Sequence, residues 1–197
     1  DKSLFPRDFV VSLKTSNKYF GPQEIFGGSE EGEDGINIIR EINQEDLSII
    51  KKTHQNKNYE NELPKSLKNS LYWFLCGVAT MRYWKYNKPV SMLIHTSQNQ
   101  KDHDKIFELI NTWFKKINQE ELLEEASKVW VSEVSQFSKD HFKEQLPNYL
   151  TTEEDIRDYP KFEDIKKEIL KLRNSITHIR LDEEQELNFD KNGGIHI

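Results

Sequence analysis

The chain has one cysteine, Cys76, among its 197 residues. That excludes a disulfide framework within the chain and a zinc site built on several cysteines. Cys76 lies in the apolar run Leu75-Cys76-Gly77-Val78 and reads as a small buried hydrophobe. No apolar stretch approaches the ~20 residues of a membrane-spanning helix. No charged-then-apolar leader opens the chain. A cytoplasmic protein with no membrane partner is expected. Nucleotide signatures are also missing: neither G-x-x-x-x-G-K-S/T nor G-x-G-x-x-G occurs. Gly27-Gly28 and Gly193-Gly194 have neither the spacing nor a following Lys-Ser or Lys-Thr, so no primary nucleotide site is expected here.

Neither sign of charge dominates. Asp and Glu number 34 against 28 Lys and Arg, a net charge of -6. This excludes a chain coated uniformly for nucleic acid and leaves room for a local basic patch. The 11 Phe, 7 Tyr and 4 Trp supply enough aromatic volume for a core, which excludes a disordered chain.

Hydrophobic spacing predicts a sheet-based α/β chain, helix-rich overall. Phe9–Leu13 and Ile36–Ile42 read as strands, flanking a Gly-Pro and Gly-Gly punctuated turn at Tyr19–Gly28 and an acidic loop from Ser29 to Gly35. A helix is predicted over Gln44–Lys52 and a polar linker over Thr53–Glu62. Leu63-Pro64 opens the clearest helix, with Leu67, Leu71, Phe74, Leu75, Val78 and Ala79 on one face, running to about Tyr86. Asn87-Lys88-Pro89 stops it. Val90–His95, short and apolar, predicts a buried parallel strand. Thr96-Ser97 then caps a helix bearing Ile106, Ile110, Trp113 and Phe114. Helices are predicted over Gln119–Val134, Lys139–Leu150 and Lys161–Leu172, and a strand over Ser175–Leu181. The stretch of about 119–160 reads as a helical insertion into an α/β layer. Both ends read as internal to a longer protein: Asp1 is no start, and Asn192-Gly193-Gly194-Ile195-His196-Ile197 is how a strand begins.

Several chemistries find no support. The six histidines, at 54, 95, 103, 141, 178 and 196, are scattered. Only Asp102-His103-Asp104 and Asp140-His141 put a His beside a carboxylate, and helical neighbours face different ways, so no metal site is expected. Asp158 with Asp164-Ile165-Lys166 has the letters of a metal nuclease. Its helical spacing makes it a solvated helix face instead. There is no G-x-S-x-G, and no Cys–His or Ser–His arrangement. No catalytic residue is assigned.

Two features remain. His95-Thr96-Ser97 ends the predicted strand where α/β sheets bind ligands, beside a helix amino terminus that favours phosphate. The same residues serve equally as a helix cap and a core-edge histidine. Met81-Arg82-Tyr83-Trp84-Lys85-Tyr86-Asn87-Lys88 interleaves three cations, Arg82, Lys85 and Lys88, with three aromatics, the composition that holds nucleic-acid strands. Against that, cations at a helix carboxyl end complement its dipole, and aromatics fill cores.

The runs Leu63-Pro64-Lys65-Ser66-Leu67 and Ser91-Met92-Leu93-Ile94-His95-Thr96-Ser97 resemble the Z1 domain family, whose members are large bacterial proteins assigned as endonucleases of restriction-modification systems. Phe5-Pro6-Arg7-Asp8-Phe9 and Tyr19–Gly27 are similar to the family's segments too. The likeness is strongest over residues 1–97, fades through the helical insertion and returns weakly near Asn174-Ser175 and the last five residues. It implies a relative of superfamily-two helicases, with a partial RecA-like parallel sheet interrupted by the insertion. Residues 1–62 would be an inter-lobe segment and 63–118 the long helix with the lobe's first strand and helix. Residues 119–160 would be the insertion, and 161–197 the lobe's return helix and strands. The family's phosphate loop would precede Asp1, so ATP and Mg²⁺ belong to the parent protein and no cofactor to this stretch. DNA is the implied partner, through His95, Thr96, Ser97, Arg82, Lys85 and Lys88, with other restriction-modification subunits as a second kind. Two alternatives stand beside this reading. One is a protein-docking module on the acidic helical stretch with Trp113 and Trp130. The other is a self-contained metal-dependent endonuclease.

Overall fold

The computed structural model describes residues 19–28, 35–55, 62–146, 156–177 and 195–196. Seven helices are described: α1 Pro22–Phe26, α2 Gln44–Gln55, α3 Lys65–Tyr83, α4 Gln100–Lys116, α5 Gln119–Gln136, α6 Lys139–Gln145 and α7 Phe162–Ser175. Three strands accompany them: β1 Val90–Ser91, β2 Ile176–Thr177 and β3 Ile195–His196. The chain divides into two compact units. One comprises Arg40–Gln136 with Tyr159–Ile197, the other Asp1–Ile39 with Phe137–Asp158.

The larger unit is a helical core. In α3, Leu71, Leu75, Cys76, Val78 and Ala79 are buried, and the helix packs against both α5 and α7. On α5 the buried residues Leu122, Ala126 and Trp130 recur every fourth position, one row along the helix. Ile106, Ile110 and Phe114 do the same on α4, and Ile165, Ile169 and Leu172 form the row of α7. All belong to one hydrophobic cluster. Small residues let helices approach: the Cys76 Sγ lies 3.7 Å from the Ala126 carbonyl oxygen. Trp73, Trp130 and Tyr159 form an aromatic group with ring centroids 5.4 to 6.5 Å apart. Trp113 packs edge-on against Tyr72 at 5.3 Å.

Asparagine caps start two of these helices, as orphan amide groups require. Asn43 Oδ1 accepts from the Asp46 amide at 2.8 Å, and Asn118 Oδ1 from the Glu121 amide at 2.9 Å. Helix α3 has Pro64 at its N-cap and gets its cap from another helix: Asp46 accepts from the amides of Lys65 and Ser66.

In the smaller unit, the Ile36 amide donates to the Glu24 carbonyl at 2.9 Å, bringing the chain onto α1. Gly35 permits this approach, since a Cβ there would stand 2.1 Å from the Ile25 carbonyl oxygen. The α6 N-cap Ser138 exchanges hydrogen bonds with His141, and Phe137 meets Phe142 edge-on.

The expected α/β architecture with a partial RecA-like parallel sheet is not what forms. The strands are two residues each and pair in parallel in the order β1-β3-β2. That is a short ladder laid on a helical core. The segment from β1 onward alternates instead of burying both faces: Val90, Met92 and Ile94 pack on the core while Leu93 is 75% exposed. One covered face defines a half-buried extended segment, and the sequence run could not distinguish it from a central strand. Residues 36–42 form no strand. Asn37–Ile38 is a turn and Ile38, Ile39 and Ile42 are exposed. Helix α5, expected in an insertion, supplies part of the central core. The predicted strand Phe9–Leu13, the loop at 29–34, most of the linker and the predicted strand beyond Thr177 lie outside the described residues.

Candidate nucleic-acid interface

Helix α3 ends in a Schellman turn. The Tyr86 amide donates to the Met81 carbonyl at 2.8 Å, and the Lys85 amide to the Arg82 carbonyl at 2.9 Å. Lys85 holds φ 63°, the left-handed position at which glycine is the usual residue. The Arg82 guanidinium donates to the carbonyls of Tyr86 and Lys88, the latter at 2.9 Å, and straps the turn from beneath. Tyr83, Lys85, Tyr86 and Lys88 are exposed on this braced backbone. Among the described residues no ion pair engages Lys85 or Lys88.

The chain then runs through β1 to a polar knot between the end of α2 and the start of α4. Asp102 is its centre. Its carboxylate accepts from Ser97 Oγ at 2.9 Å and Asn99 Nδ2 at 3.3 Å, with His54 Nδ1 at 3.9 Å and Lys105 Nζ at 3.7 Å. The Ser97 hydrogen bond foremost holds the Asp102 carboxyl below its ordinary range. Burial works against this, while Asn99, His54 and Lys105 add to it. Thr96 Oγ1 lies 3.5 Å from His54 Nε2. Lys105 Nζ donates to the His54 carbonyl, and His103 Nε2 bonds to that of Ser97. His95 is exposed, its ring 5.0 Å from that of His103 in a T-shaped contact.

The six residues singled out from sequence thus fall into two groups. Lys85, Lys88 and His95 are exposed along 85–95. Arg82, Thr96 and Ser97 face their own chain, as strap and knot. The helix cap expected at Thr96-Ser97 falls at Asn99, which makes no side-chain cap bond. Ser97 works from two positions upstream, accepting from the Asn99 amide at 3.1 Å. Sequence reasoning missed His54, Asp102 and Lys105. Their signal was slight: an Asp in the first turn of a predicted helix, five residues past a Ser. Of the two tryptophans on the helical stretch, Trp130 is buried and Trp113 is partly buried against the core.

The sequence has no phosphate loop, and among the described residues no three His, Cys, Asp or Glu are grouped to hold a metal ion. Among the described residues no helix is long and apolar enough to cross a membrane.

None of the curated proteins and none of the solved structures matches this chain. One family does: residues 66–197 match the Z1 domain, across the helical stretch where the resemblance was expected to fade. The match takes in α3 from its second residue, α4 to α7 and all three strands. This chain belongs to the Z1 domain family.

Proposed function

We propose that this chain is part of a DNA-acting protein of a bacterial restriction-modification system, and that residues 82–95 contribute backbone contacts to DNA. The observation that carries the reading is the braced turn after α3, which keeps Lys85 and Lys88 exposed, with His95 exposed further along the same stretch of chain. Two lysines on a fixed backbone suit phosphate groups, which position a protein on DNA without reading sequence. Family membership supports the same setting. The role proposed for this chain is contact and support. ATP hydrolysis and DNA cleavage would reside elsewhere in the parent protein.

Fluorescence anisotropy with labelled DNA at several salt concentrations tests this. Binding should weaken steeply as salt rises, because each phosphate contact releases counterions. Lys85→Ala with Lys88→Ala should weaken binding and flatten the salt dependence by about two contacts. Salt-insensitive binding, or none, would reject the reading.

A further inference from the structure

We infer that the turn over Tyr83–Lys88 selects an unpaired nucleic-acid strand, with Tyr83 and Tyr86 stacking on bases while Lys85 and Lys88 meet the phosphates between them. The inference rests on the proposed DNA contact and adds the state of the strand.

Three observations carry it. Tyr83 is 51% and Tyr86 47% exposed, on a stretch whose cations already suit phosphate. A purely electrostatic site needs no rings. A duplex hides the faces of its bases, so exposed rings find stacking partners only where a strand is single. Next, Lys85 occupies a left-handed position where glycine would sit without strain. A side chain kept where its backbone is disfavoured points to use of that side chain. Finally, the Schellman bonds and the Arg82 strap fix the spacing of ring, cation, ring, cation before any ligand arrives. Preorganisation of this kind lowers the entropy lost on binding. The alternating lysines also speak against a protein partner, because the centres of protein interfaces are depleted in lysine.

The test uses the full chain, a labelled oligothymidine and a duplex of the same length. The single strand should bind tighter, on the order of tenfold. Tyr83→Ala with Tyr86→Ala should abolish that preference by weakening single-strand binding far more than duplex binding, while Tyr83→Phe with Tyr86→Phe should keep it. Lys85→Gly should raise the melting temperature and weaken binding to both DNAs, a pairing that misfolding cannot produce. Equal affinity for the two DNAs, or a preference surviving loss of both rings, would overturn the inference and leave the DNA contact standing. No binding to either would remove both.

Discussion

The Asp46 carboxylate caps a helix to which it does not belong: its Oδ2 accepts the Ser66 amide at 2.8 Å and its Oδ1 the Lys65 amide at 3.2 Å. Asp46 is 5% exposed. Burial alone would raise its pKa, but the Ser66 hydrogen bonds and the Lys65 amide outweigh that and hold the carboxyl below its ordinary value. A depressed folded pKa means that the stabilisation is complete above the unfolded value of about 4 and is lost as pH falls through the folded one. Asp46→Ala should cost about 1–2 kcal/mol at neutral pH in urea melts. Asp46→Asn keeps a cap without the charge, so its deficit against the native chain should shrink as the medium is acidified. A deficit independent of pH would rule out the charged cap.

Leu75 is fully buried where α3 meets α5 and α7. Leu75→Ala should cost about 2–5 kcal/mol and leave the far-ultraviolet spectrum of the folded state unchanged. Ile169→Val, at another fully buried position, should cost about 0.5–1.5 kcal/mol. A loss at Leu75 of less than Ile169→Val causes would mean that the crossing is loosely packed.

Burial pushes the Cys76 thiol up to about 12. The folded protein therefore keeps the thiol protonated where an unfolded chain would ionise it, near 8.5. Stability from this source holds at neutral pH and falls as pH rises past that unfolded value. Cys76→Ala should flatten the alkaline decline in melting temperature. Dithionitrobenzoate should react with Cys76 only at the rate of global unfolding, and fast labelling of the native chain would contradict the burial.

Asp102 ties the start of α4 to the end of α2 through Ser97, Asn99 and His54. Asp102→Asn should speed amide hydrogen exchange in the first turn of α4 and the last turn of α2, with α3 and α5 unchanged. Uniform acceleration across all four helices would instead make Asp102 a global stabiliser.

The helices were legible because their signals are local. The four-residue spacing of Leu122, Ala126 and Trp130, or of Ile106, Ile110 and Phe114, needs no knowledge of the partner helix. Val90–His95 was misjudged because an apolar run records that residues leave water and not how many faces are covered. Ile36–Ile42 failed for a related reason: β-branched residues fit a sheet only when a neighbouring strand offers pairing. For the site, composition exposed the mixture of rings and cations at 82–88. It could not separate Arg82, turned back onto carbonyls, from Lys85 and Lys88, because that division is made by a turn whose left-handed residue is not glycine. The knot around Asp102 joins His54 to residues more than forty positions away, beyond the reach of any local pattern.

Both rungs of the parallel ladder pass through β3, which stands between β1 and β2. Ile195 and His196 are thus a keystone: remove this pair and the two outer strands lose their common neighbour at once. The helices, whose cohesion lies in side-chain rows elsewhere, would survive the loss. Such a layout ties both outer strands to one pair of residues, while the packing of α3 on α5 and α7 rests on the helices' own side chains.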